Sequence, residues 1–175
     1  MNAPVAVLIG PPGAGKTAVG PLLAELLGTS FRDTDADVVA AAGRPVSDIF
    51  IEQGEQAFRQ LEREAAARAL REHHGVLALG SGAVLDPGLE QRLEGLPVVY
   101  LAADFGTVAR RLGLDRPRVV IPGNPRGRLR AMLEERRPLY ERLATVTVTT
   151  DDDDPDELAE QIAAKLAAQP EEGPR

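Results

Sequence analysis

Val5-Ala-Val-Leu-Ile-Gly10-Pro-Pro-Gly13-Ala-Gly15-Lys16-Thr17 is the stretch that decides the fold. Five apolar residues in an unbroken run, closed by a glycine, read as a strand buried on both faces, as a parallel sheet requires. Gly10 to Thr17 then matches GxxxxGK[ST] at every fixed position. Residues 16–27 carry Val19, Leu22, Leu23, Leu26 and Leu27 at helical spacing, and Gly28 stops the pattern. Strand, glycine loop and helix together make a phosphate cradle. Glycines let successive N–H groups turn inward, and the helix N-terminus adds its positive dipole end. Residues Gly13, Ala14, Gly15, Lys16, Thr17 and Ala18 are the expected nucleotide contacts, Lys16 to the β- and γ-phosphates and the Thr17 hydroxyl to Mg²⁺.

Outward from this unit the same alternation repeats. Short strands are predicted over residues 31–33, 76–79, 98–101 and 146–148. Between them helical patterns fall at 37–42, 46–53, 54–72, 87–93, 104–112, 128–143 and 158–168. Five strands separated by helices predict an α/β fold, a three-layer α/β/α sandwich around a five-stranded parallel sheet. Ligands gather at the carboxyl ends of such strands, where Gly10, Asp33, Gly80 and Leu101 lie. The Pro-, Gly- and Arg-rich stretch at 113–127 is long for a connection and reads as a lid. The predicted organisation is one domain over residues 1–168, followed by a disordered tail at 169–175.

Composition narrows the partners. A net charge of −7 speaks against binding duplex nucleic acid, which needs a basic surface. No cysteine is present, so disulfides, thiol nucleophiles and zinc–thiolate sites are excluded. The adjacent His73 and His74 read as a polar helix end rather than a metal site. No apolar run is long enough to span a bilayer, and no signal-peptide pattern opens the chain, so a cytoplasmic protein without a membrane partner is expected. With no apolar interface stripe, a monomer is expected.

Asp33-Thr-Asp35 follows the second strand. A Mg²⁺ held by one threonine and waters needs a nearby carboxylate, and Asp33 at the strand end can supply it. If the segment is extended, Asp35 points the other way and can accept the proton of an acceptor hydroxyl. The competing reading is a pair of aspartates capping the next helix.

Taken together, Asp33-Thr-Asp35, Gly54-Glu55-x-x-Phe58-Arg59, Gly80-Ser81-Gly82-Ala83 and Arg136-x-Pro138-Leu-Tyr140, with the arginine-bearing lid, resemble the shikimate kinase family over nearly the whole chain. The resemblance implies a P-loop kinase fold with strand order 2-3-1-4-5 and a substrate-binding segment at about 34–60. It implies transfer of the γ-phosphate of ATP to the 3-hydroxyl of shikimate, with Mg²⁺, on the route to aromatic amino acids. By the same resemblance Asp35 binds the substrate hydroxyls, Arg59 and Arg136 its carboxylate, and Gly80, Ser81 and Gly82 approach the ring. Spacing alone does not choose between Arg136 and Arg137. Arg111 and Pro155 would enclose adenine. Arg118 would reach the transferring phosphate from the lid, with Arg116 the alternative register.

The chain departs from the family pattern in three places. Ser81 replaces the middle glycine, Val119 stands where proline is usual, and Asp151 to Asp154 occupy a segment that often carries a basic residue. Two other readings remain open at this level: another small-molecule kinase of the same fold, for gluconate or a nucleoside monophosphate, and a nucleotide-binding regulator without transfer.

Overall fold

A computed structural model describes residues 3–115, 123–151 and 154–170. The centre of the expected lid, with Arg116, Arg118 and Val119, lies outside the described residues, as do Asp152, Asp153 and residues 171–175.

The order of elements is β1 (Ala6–Ile9), α1 (Lys16–Leu26), β2 (Phe31–Asp33), α2 (Thr34–Ala42), α3 (Val46–Glu72), β3 (Val76–Ala78), a 3-10 turn (Ala83–Leu85), α4 (Leu89–Leu93), β4 (Val98–Ala102), α5 (Phe105–Arg111), α6 (Pro125–Leu143), β5 (Val146–Thr149) and α7 (Pro155–Ala167). The strands form one parallel sheet in the order β2-β3-β1-β4-β5. Alternate side chains divide the core between two faces. Ala6, Leu8, Val76, Ala78, Val99 and Leu101 pack with α1 and α7. Val7, Ile9, Leu77, Val98 and Tyr100 pack with α3, α4 and α6. Two satellite clusters complete the interior: Val38, Ile49 and Phe58 between α2 and α3, and Val108, Leu129 and Leu133 between α5 and α6.

Three helices start earlier than the sequence reading has them, and in each a cap explains it. The second helix begins at Thr34 rather than residue 37, because the Asp33 carboxylate accepts from the N–H of Asp35. Asp35 is therefore in a helical first turn and not in extended chain. The helix expected from residue 128 begins at Pro125, where the Asn124 side chain accepts from Gly127 N–H and proline occupies the first turn. The last helix begins at Pro155 behind an Asp154 cap. The two helices expected on either side of residue 54 run together as α3, broken at Gly54 with φ 85°. At the chain end, Gln169 Nε2 donates to the carbonyl of Thr145 at 3.2 Å, so residue 169 is tied to the domain.

Candidate active site

The loop between β1 and α1 wraps a cavity of about 500 Å³, lined by Gly13 to Thr17, Asp33, Asp35, Ser81, Arg111 and Pro155. Gly15, the residue before α1, sits at φ 102°, a conformation that a side chain would strain and that turns the loop into the helix. The Lys16 ammonium donates to the carbonyls of Gly10 (2.6 Å) and Pro11 (3.2 Å). Burial lowers its pKa to about 8, against the opposing pull of Asp35 and Asp33.

Thr17 Oγ1 donates to Asp33 Oδ2 at 3.2 Å, while Asp33 Oδ1 caps α2. One carboxylate oxygen is thus occupied by the fold and the other faces the threonine hydroxyl. The Asp35 carboxyl is pushed above the usual carboxylate range, first by burial and then by Asp33, with Lys16 opposing. On the far wall, Arg111 Nη1 donates to the Gly13 carbonyl (2.9 Å) and to Thr150 Oγ1 (3.3 Å), tying α5 to the loop and to the end of β5. Pro155 lines the same cavity.

A second cavity, of about 480 Å³, opens beside the first and is lined by Glu55, Arg59, Glu62, Arg63 and Gly82 among others. The turn at 80–82 separates the two. Built Cβ atoms show how closely side chains approach it. One on Gly80 would lie 2.7 Å from both Asp35 Oδ1 and Glu62 Oε2, and one on Gly82 would meet the Arg59 guanidinium and lie 3.0 Å from Glu62 Oε1. The glycines thus make room for the protein's own charged groups. Gly80 has both backbone groups engaged: its N–H donates to Thr34 Oγ1 (3.0 Å) and its carbonyl accepts from Ala83 N–H (3.0 Å).

Arg59 Nη1 pairs with Glu62 Oε1 at 2.8 Å, and Nη2 lies 3.6 Å from Glu55. Glu62 is 3% exposed. Burial raises its pKa, and the Arg59 charge and hydrogen bond act against that rise. Arg136 is buried on α6 with Nη1 3.5 Å from Ser81 Oγ, whereas Arg137 is exposed. Among the described residues the Nε groups of Arg59 and Arg136 are buried without a hydrogen-bond partner. Buried donors are normally paired, so two unpaired guanidinium N–H groups beside one turn mark a place for an anion.

The structure thus brings Lys16, Thr17, Asp33, Asp35, Ser81, Arg111 and Pro155 to one cavity. It sets Arg59 and Gly82 in the adjoining one, with Arg136 against Ser81 at their junction. Ala14 is buried under the loop and Ala18 is exposed at its helix end. Sequence reasoning missed three polar groups. One is Glu62, for which the i, i+3 spacing from Arg59 was the available signal. Nothing local signalled that the buried Thr34 would accept from Gly80, or that Tyr140 Oη would donate to the Ser81 carbonyl at 2.7 Å.

A family model described as shikimate kinase matches residues 12–167. The chain belongs to the shikimate kinase family. It is 55% identical to the shikimate kinase of Thermobifida fusca, covering 94% of this chain and 96% of the relative. It is 54% identical to that of Salinispora arenicola, over 95% and 99%. Among solved structures, the shikimate kinase from Acinetobacter baumannii in complex with shikimate superposes with a TM-score of 0.86 at 33% identity, covering 96% of this chain and 94% of that one. The fold, with strand order 2-3-1-4-5, is that of the family's structures. A shikimate kinase needs a nucleotide site and an acceptor site within reach of each other, and the two cavities meeting at residues 80–82 meet that need.

Proposed function

We propose that this shikimate kinase transfers the γ-phosphate of ATP to the 3-hydroxyl of shikimate across the junction of the two cavities, giving shikimate 3-phosphate and ADP for aromatic amino acid biosynthesis. The observation that carries the site assignment is the pair of buried, unpartnered guanidinium Nε groups beside a turn that also abuts Asp35. Arg59 and Arg136 bind the shikimate carboxylate through charge-assisted bonds. Ser81 and Gly82 border the ring. Asp35 accepts a hydrogen bond from the acceptor hydroxyl and takes its proton as the phosphoryl group arrives. Its raised pKa makes it a stronger base than an ordinary aspartate.

At the nucleotide end, the Gly13–Ala18 backbone holds the phosphates. Lys16 releases the Gly10 and Pro11 carbonyls to follow the γ-phosphate. Arg111 and Pro155 enclose adenine, and Arg118, with Arg116 as the alternative and both outside the described residues, is the candidate for the transferring phosphate. Thr17 and Asp33 fit Mg²⁺, because a hydroxyl and a carboxylate oxygen bonded to each other but to no backbone group lie side by side, and a magnesium site takes few protein ligands. When bound, the ion neutralises phosphate charge. All these groups belong to one chain, so a monomer suffices. No described helix is long and apolar enough to cross a membrane, and an ATP-dependent step places the enzyme in the cytoplasm.

The test is a coupled ADP-release assay with ATP, Mg²⁺ and a panel of shikimate, gluconate and nucleoside monophosphates. Release that depends on shikimate alone is expected. Release with another acceptor in its place would overturn the acceptor assignment.

A further inference from the structure

Ser81 is held from α6 at two points. Tyr140 Oη donates to its carbonyl at 2.7 Å, and Arg136 Nη1 lies 3.5 Å from its Oγ. Arg136 and Tyr140 are four residues apart, on one face of α6. The Tyr140 ring is 1% exposed and stacks on Tyr100 with centroids 5.1 Å apart, so its hydroxyl has little freedom. The other side of the turn is pinned from α2, by Thr34 Oγ1 on the N–H of Gly80. A carbonyl in an irregular turn has no ladder partner, and Tyr140 is the group that satisfies it among the described residues.

We infer that Tyr140 is a positioning residue for the acceptor: by fixing the Ser81 carbonyl it sets the turn, and with Ser81 Oγ it sets the Arg136 guanidinium that receives the substrate carboxylate. The inference rests on the proposed role of Arg136. It also gives Ser81 a task that glycine could not perform, since only a hydroxyl offers Arg136 a side-chain partner here.

The experiment uses Tyr140→Phe, which keeps the stacked ring, alongside Ser81→Ala and Arg136→Ala in the full chain. Steady-state rates are read with shikimate and with its methyl ester, which lacks the anionic carboxylate. Tyr140→Phe is expected to raise the shikimate KM about tenfold, because binding must then restore the turn and the Arg136 guanidinium that the hydroxyl holds ready in the parent. The KM for ATP should stay within about twofold. The preference in kcat/KM for shikimate over the ester should fall by about the same factor, whereas a general loosening would lower both substrates alike. Ser81→Ala should raise the shikimate KM about threefold, and this arm stands even if Tyr140→Phe does not fold. An unchanged shikimate KM in Tyr140→Phe, or an unchanged preference over the ester, would overturn the inference. Should Arg136→Ala itself leave the shikimate KM unchanged, the acceptor assignment fails first. If Arg136→Ala raises it while Tyr140→Phe and Ser81→Ala do not, the positioning role alone is lost.

Discussion

Replacing Gly82 with alanine adds one methyl group at the wall of the acceptor cavity. Gly82 has φ −92° and ψ −2°, a conformation open to residues with a side chain, so the substitution forces no positive φ. The new Cβ would overlap the Arg59 guanidinium, lying 2.7 Å from Cζ, and would sit 3.0 Å from Glu62 Oε1. Because the obstructed group is the end of a flexible side chain, Arg59 moves and the fold stays. On the role proposed for Arg59, what is lost is its charge-assisted bond to the substrate carboxylate, worth about 1.5–3 kcal/mol, or roughly a 10- to 150-fold rise in the KM for shikimate. The assay is the initial rate of ADP release with shikimate varied at saturating ATP, paired with a thermal melt to confirm folding. A folded Gly82→Ala enzyme with a shikimate KM within about twofold of the parent would refute the placement of Arg59 on the substrate.

Three further outcomes are expected. Asp35→Asn should lower kcat by about 10²-fold or more with little change in ATP affinity; a change in ATP affinity alone would assign Asp35 to the metal instead. In the free enzyme the Lys16 ammonium is lost as pH rises through about 8, so kcat/KM for ATP should fall above that point, and a profile flat to about pH 9.5 would contradict it. The sign for stability is opposite: the unfolded chain keeps the Lys16 proton up to its ordinary pKa of 10.5, so this group makes folding more favourable as pH climbs from about 8 to 10.5. Gly20→Ala should cost roughly 1–2 kcal/mol and lower Tm by about 2–8 °C, because its methyl would crowd the Phe31 ring; an unchanged or higher Tm would show that α1 and β2 can move apart.

The sheet and the cradle were legible because both are local. A buried run ending in a glycine loop and a helix identifies itself within about twenty residues, and period-2 alternation in β1 divides Ala6 and Leu8 from Val7 and Ile9 as the two core faces do. The order of strands came with the family resemblance, since periodicity carries no information about neighbours. Lys16, Thr17, Asp33 and Asp35 could be grouped because β1 and β2 both end at the carboxyl edge of one parallel sheet, where ligands gather. Arg59 and Arg136 could not be grouped from spacing: each sits in a helix rich in charge, and only tertiary packing shows that Arg136 is buried while Arg137 is exposed. For Asp35 the extended geometry was one of two readings and helix capping the other; Asp33 does cap α2, and that bond starts the helix earlier than the apolar pattern does. Thr34 and Tyr140 act by satisfying buried partners from distant segments, and such pairings leave no local pattern; Glu62 pairs with Arg59 within one helical turn, and what spacing hid there was its burial.

The stacking of Tyr100 on Tyr140 has an optical consequence. The chain has no tryptophan and two tyrosines, and these are the two whose rings lie 5.1 Å apart. Phenylalanine emits weakly, so the near-ultraviolet fluorescence of the protein arises from this single spot. One of its two phenols is bonded to the backbone of the turn that borders the acceptor. The unlabelled protein therefore carries its own light source beside the cavity proposed for the acceptor, and a change of emission on adding shikimate would report binding there without a dye or a coupled reaction.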